Sequence, residues 1–306
     1  MTRQNNDDSV GQAVALILLG VAGGLGLDLC AKQLLQSYSL NQFIFLRSVI
    51  GVVMFLLLSR QFGGLRSLKT TRWKWHLLRT LLACGAMWGF FYGLSKMPLV
   101  NALTLAFTAP LIVAALSVPT LGERVGWRRW TAVIIGFCGV LLILRPGAGL
   151  FNLASISVLI AAFCYACLAL TARHLGRTES SFSLSVYVTA GPMISAGAFA
   201  NEGWQMPDTV GWVLFLTAGA CSVVAWIGII GGYRKASPSL IAPLEYTALV
   251  AGAIAGYLLW DEIPDKWVMG GAAIIISTGL YIVYREIWLE RGKVERVPET
   301  PPGLGP

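Results

Sequence analysis

Two long apolar stretches of this chain repeat one another about 140 residues apart, and no other feature restricts its fold as strongly. The first runs Met97-Pro98-Leu99-Val100-Asn101-Ala102 and closes at Gly122-Glu123-Arg124. The second runs Ser237-Pro238-Ser239-Leu240-Ile241-Ala242 and closes at Asp261-Glu262-Ile263. Placing Pro98 on Pro238 also places Ala102 on Ala242, Trp127 on Trp267 and Gly139 on Gly279, while Glu123 slips one place onto Glu262. A duplicated membrane unit is the signature of a transporter, because two related halves can rock against each other around a site held between them.

Composition fixes the solvent. With 56% hydrophobic and 12% charged residues and a mean hydropathy of +0.69, the chain lacks the polar groups to clothe a globular surface, so most side chains face lipid or one another. Apolar runs near the ~20 residues that cross a hydrocarbon core fall at 12–32, 40–59, 77–96, 99–120, 128–145, 153–173, 183–200, 211–231, 238–260 and 267–286. The expected fold is all-α: ten transmembrane helices in two five-helix repeats, 12–145 and 153–286, followed by a Pro-rich cytoplasmic tail, 291–306.

An odd number of spans per repeat forces the second copy to enter the membrane from the opposite face, so the repeats are expected to be inverted. Charge placement tests this through the excess of Lys and Arg on cytoplasmic segments. With a cytoplasmic N-terminus, eighteen of the 23 cations fall on inner segments and four, Lys32, Lys96, Arg145 and Lys266, on outer ones; Arg47 lies inside a helix. Both termini are therefore expected in the cytoplasm of a cell whose inner membrane holds the protein. The net charge of +8 follows from the same asymmetry and calls for no nucleic acid partner. Asp28 and Lys32 stand where a cleavable leader would need small residues, so the first apolar run is expected to remain as a span.

All six cysteines fall inside expected helices. Cys164 and Cys167 have C-x-x-C spacing without companion ligands, which favours packing over metal binding; neither metal nor disulfide is expected. Gly85, Gly89 and Gly93 recur every fourth residue, as do Gly20/Gly24, Gly228/Gly232 and Gly252/Gly256. Such stripes let helix backbones approach closely in lipid, within the chain or across a homodimer, the internal use being favoured; the expected unit is a monomer or homodimer.

The paired motifs, with a Pro-initiated fourth helix, an acidic end and a Trp leading into a Gly-containing fifth helix, resemble the EamA repeats of the drug/metabolite transporter superfamily over about residues 12–286. The resemblance implies a ten-helix carrier of small organic metabolites. Asp28-x-x-x-Lys32, Phe45-Leu46-Arg47, Leu78-Arg79-Thr80 and Ala242-Pro243-Leu244-Glu245 are most similar to the subgroup of riboflavin and S-adenosylmethionine carriers. Amino-acid-like cargo also lies within the family's range.

Charged residues inside spans are the natural candidates for function, since each costs about 2.5–3.5 kcal/mol at a helix centre. Asp28 and Lys32 sit one turn apart and can pair, with Arg47 entering at similar depth. The cluster reads either as an outer gate with an anion site, Arg47 making the substrate contact, or as a structural ion network with Lys32 snorkelling to the interface. Glu245 lies after Pro243, which frees a carbonyl nearby; it reads either as the coupling carboxylate or as a structural hydrogen-bonding group. Trp88, Tyr92, Tyr165, Trp226 and Tyr246 can line an apolar cavity with polar tips or pack as core. Asn101, Thr104 and Thr108 form a polar stripe on the fourth helix, which Pro110 interrupts. His76 and His174 lie at helix ends, no span carries a nucleophile beside a base, and no phosphate-cradling loop is present, so neither an enzyme nor an ATP-driven pump is expected, and no cofactor. The alternative to a carrier is a structural or regulatory membrane subunit.

Overall fold

The computed structural model describes residues 2–62, 64–121, 127–145, 152–175, 179–235 and 244–294. Glu123, Pro238, Pro243 and most of the Pro-rich tail lie outside them. The described residues are all-helical: α1 (Thr2–Leu34), α2 (Leu40–Leu57), α3 (Trp73–Lys96), α4 (Leu99–Ala106), α5 (Ala109–Leu121), α6 (Trp127–Leu144), α7 (Leu153–Leu175), α8 (Ser181–Ala198), α9 (Thr209–Lys235), α10 (Thr247–Trp260) and α11 (Lys266–Val294). Counting α4 and α5 as the two halves of one interrupted helix, the described residues form ten α-helices. Helix α11 runs further than expected and takes in residues 291–294.

Six of the described helices are long and apolar enough to cross a membrane, with shorter apolar helices at Trp130–Leu144, Thr247–Trp260 and Lys266–Ile282. Local chemistry explains where they begin and break. Ser39, Ser180 and Asn152 accept backbone N–H bonds from Gln42, Ser183 and Ser155 at the first turns of α2, α8 and α7. The break between α4 and α5 falls at Phe107 and Thr108, two residues before Pro110, which has no N–H to carry a continuous ladder. Helix α8 tolerates many hydroxyls because Ser185, Thr189 and Ser195 return theirs to backbone carbonyls of the same helix.

The helix pairings reveal the duplication. The main contacts join α1 with α9, α3 with α7, α6 with α11, α2 with α8 and α4 with α10, flanked by α3 with α8 and α2 with α9. Exchanging one repeat for the other turns α1·α9 into α7·α3 and α2·α9 into α8·α3, and maps the remaining three onto themselves. The architecture is thus two interleaved, structurally equivalent halves.

Glycine makes the two closest crossings possible. A Cβ at Gly228 would lie 2.5 Å from the backbone nitrogen of Gly20, and one at Gly89 would lie 2.5 Å from the carbonyl of Ser157. Ser157 also donates its hydroxyl to Gly89 O at 2.9 Å across the α3–α7 seam. Gly85 faces the Cys164 sulfur and Gly93 faces Val158. The stripe glycines, Gly24 excepted, are used in packing within the chain.

Candidate functional site

The start of α1 and the end of α11 lie at one end of the bundle, here the proximal end; Lys32, Lys96, Arg145 and Lys266 lie at the other, distal end. The αL conformation of Asp261 (φ 53°) terminates α10, and the Glu262 N–H returns to Gly256 O at 3.1 Å, turning the Glu262 side chain back over the helix. Its carboxylate pairs with Lys32 and accepts the Leu99 N–H at 2.9 Å. Lys32 also donates to Met97 O at 3.3 Å and stands 5.1 Å from the Trp260 ring. One ion pair therefore ties α1, α10 and the start of α4 together beside a small polar cavity of about 340 Å³.

This corrects the expected pairing of Asp28 with Lys32. Helical spacing permits that pair, but the long lysine stem reaches outward to the bundle's end, where Glu262 and a carbonyl wait. Asp28, one turn deeper, is left facing Arg47, and the two interact electrostatically without forming an ion pair. Arg47 is only 5% exposed. Its Nη2 contacts the Met87 sulfur at 3.1 Å and its guanidinium lies 5.6 Å from the Phe91 ring centroid, while Nε has no hydrogen-bond partner among the described residues.

A second group gathers around Glu245, whose charge reaches the hydroxyls of Tyr165 and Tyr246. Tyr246 is buried, with its ring 5.1 Å from Phe107 and its hydroxyl packed on Gly279. Tyr165 is 56% exposed. It lies two residues beyond Phe163, and so on the opposite face of α7 from Leu159 and Phe163, which line an apolar outward groove of about 530 Å³. Tyr165 is therefore exposed on the face of α7 turned away from that groove, near Glu245. The larger groove carries no polar group suited to a metabolite and matches acyl chains.

The remaining candidates divide. Trp88 and Tyr92 flank the main core, and Trp88 Nε1 donates to Asn41 Oδ1 at 2.9 Å. Thr104 and Thr108 are wholly buried and return their hydroxyls to Val100 and Leu105 carbonyls, so the polar stripe there is internal bonding. Asn101 makes no side-chain hydrogen bond among the described residues. Trp226 belongs to a separate cluster with Phe55, Phe182, Val186 and Val223, apart from Trp88 and Tyr92.

Two features escaped the sequence. Glu262 reads as a repeat marker until the fold brings it to Lys32, 230 positions away. At the proximal end, buried His76 and Glu179 approach to 3.4 Å without hydrogen-bond geometry, with the Tyr187 ring centroid 4.3 Å from the imidazole's at a 43° tilt and Thr70 donating to Glu179 at 2.7 Å. Nearby, Arg79 donates to Leu168 O and Thr171 Oγ1, both at 2.9 Å. The Arg79 bonds join α3 to α7, while Thr70, with the Tyr187 hydroxyl donating to Leu68 O at 3.0 Å, ties residues 68–70 to α8 and to Glu179 just before it.

Two equivalent halves, charged groups buried between them and an ion pair across one end define a membrane carrier built on a repeat. The chain belongs to the EamA-like transporter family, whose sequence pattern matches residues 11–145 and 152–285; it is a transporter and not an enzyme. It is 32% identical over 279 residues to the S-adenosylmethionine uptake transporter of Rickettsia bellii, covering 89% of this chain and 94% of that one. It is also 32% identical over 240 residues to the riboflavin transporter of Vibrio cholerae, covering 78% and 80%. A solved structure 17% identical to the chain superimposes with a TM-score of 0.64 over 92% of this chain and 99% of that one, which shows the shared fold.

Proposed function

We propose that the chain is a secondary carrier that moves a small organic metabolite across the bacterial inner membrane by alternating access, with both termini cytoplasmic. The observation that carries this reading is a contrast along the bundle: Lys32 and Glu262 pair across the distal end, while Tyr165, at the middle of α7 near Glu245, stays 56% exposed. The repeats at 12–145 and 153–286 rock about the α4–α10 contact, breaking the Lys32–Glu262 pair as the distal end opens. Arg47 and Asp28 serve the cargo, Lys32 with Glu262 forms the gate, and Glu245 carries the coupling proton. Substrate-like chemistry includes S-adenosylmethionine, riboflavin and amino acids, as in the relatives and the family resemblance. One chain, alone or within a homodimer, holds the whole pathway.

Single-cysteine labelling tests this in a background without the six native cysteines. Tyr165→Cys should react with a membrane-impermeant thiol reagent supplied at the cytoplasmic face and be shielded from the opposite face. Glu202→Cys, on an exposed distal loop, should show the reverse. Reaction of Tyr165→Cys from the periplasmic face alone would contradict the proposed resting state and the assignment of its ends.

A further inference from the structure

Arg47 and Asp28 bring opposite charges to nearly the same depth without closing on each other. Counting the 1.5 Å helical rise from Leu34 back to Asp28 and from Leu40 on to Arg47 puts both roughly 10 Å from the distal end. Among the described residues the ion pairs join Lys32 with Glu262, His76 with Glu179 and Arg145 with Asp265, and none joins Arg47 with Asp28. The Arg47 fork instead meets a thioether and an aromatic ring, with Nε unpartnered among the described residues in a residue that is 5% exposed. Asp28 makes no hydrogen bond to any described residue.

Arg47, buried, and Asp28, partly buried, are held apart and carry part of the cost of leaving water without the compensation of direct contact. A guest that supplies both a carboxylate for the fork and an ammonium for Asp28 completes both at once, through charge-assisted bonds. Such a guest is neutral over its head group. It leaves the site's charge balanced, whereas a lone anion or a lone cation would add an uncompensated charge to a region of low dielectric.

Resting on the carrier reading above, we propose that Arg47 and Asp28 form the head-group subsite for an α-amino carboxylate, Arg47 taking the carboxylate and Asp28 the ammonium. The subsite selects cargo by its zwitterion and leaves the rest of the molecule to the space bordered by Tyr165 and Glu245. A flavin, which offers no such head group, does not satisfy it.

The test uses the purified full chain and four probes: S-adenosylmethionine, its decarboxylated analogue, its analogue with the amine replaced by a ketone, and riboflavin. Binding is read by ligand-induced thermal stabilisation. S-adenosylmethionine should bind roughly tenfold or more tightly than either truncated analogue. Arg47→Lys, which keeps the charge but loses the planar fork, should shrink the preference over the decarboxylated probe. Asp28→Asn should shrink the preference over the ketone and leave the first preference in place. If either variant fails to fold, the other variant and the wild-type analogue series decide. Equal binding of the intact and truncated probes, preferences unchanged in both variants, or no binding of S-adenosylmethionine would overturn the subsite. Riboflavin bound and carried while S-adenosylmethionine is ignored would overturn the subsite and leave the carrier standing; a clear head-group preference without solute flux in liposomes would support the subsite and overturn the carrier.

Discussion

The Glu262 carboxylate bridges Lys32 of the first span and the backbone N–H of Leu99 at the start of the fourth, so a single side chain joins both repeats at the distal end. The Lys32 side chain is 9% exposed and that of Glu262 18%, so water screens the pair poorly. Breaking a pair of this kind by removing one partner costs about 3–5 kcal/mol when burial is complete, and less here. Glu262→Gln keeps an acceptor for Leu99 but loses the charge. A reporter cysteine at Asn101, 7% exposed, should react with a periplasmic thiol reagent roughly tenfold faster in that variant, since ~1.4 kcal/mol corresponds to tenfold in an opening equilibrium. Unchanged reactivity would show that the pair does not hold the distal end shut.

The α3–α7 and α1–α9 crossings should fail alike, because they are the same contact in the two repeats. Gly89→Val and Gly228→Val each push a side chain into backbone across the seam. Each should lower the thermal unfolding free energy by about 1–3 kcal/mol or more. Gly24→Val is the control, since a Cβ there meets nothing within 4 Å, and it should change the melting temperature little. Equal melting temperatures for all three would refute the packing assigned to the stripes.

If Glu245 couples protons, replacing it with Gln keeps the shape but removes the ionisable group. Glu245→Gln should abolish accumulation driven by a pH gradient while substrate-for-substrate exchange continues. Accumulation at the wild-type level would remove Glu245 from the coupling role.

Asp265 governs a pH-dependent contribution outside the spans. Its carboxylate accepts the Val268 and Trp267 N–H groups at the start of α11 and pairs with Arg145, and these bonds, that of Val268 first, hold its pKa below the usual 3.8. A depressed carboxyl stabilises the fold above its unfolded pKa and loses that contribution as pH falls through its folded value. The side chain is 47% exposed, so most of the effect is capping, about 1 kcal/mol. Asp265→Ala should lower the melting temperature at pH 7, and its gap to wild type should narrow as pH falls below the ordinary carboxylate range. A gap constant with pH would assign the effect to something other than this carboxylate.

What the sequence makes legible follows from periodicity and proportion. Apolar length yields the spans, the Pro98 and Pro238 motifs yield the duplication, Pro110 yields the broken fourth span, and glycine spacing yields the tight seams. Pairing between distant spans is different in kind, because it depends on how helices rotate about their axes. Spacing alone made Asp28 the natural partner of Lys32, and only the packed bundle shows Glu262 in its place. The same holds for His76 with Glu179 and for Trp226, whose mid-helix position says nothing about which neighbouring helix it meets. Thr104 and Thr108 looked available until their bonds to Val100 and Leu105 were seen.

On the proposed reading, this chain by itself carries an amino-carboxylate metabolite through a path controlled by Arg47. Counterflow into liposomes containing only the purified protein measures that directly, with labelled S-adenosylmethionine outside and unlabelled compound inside. Uptake should be saturable, far above that of empty liposomes, and reduced roughly tenfold or more in Arg47→Lys at unchanged melting temperature. Uptake no greater than that of empty liposomes from folded wild-type protein, or equal uptake by Arg47→Lys, would contradict it.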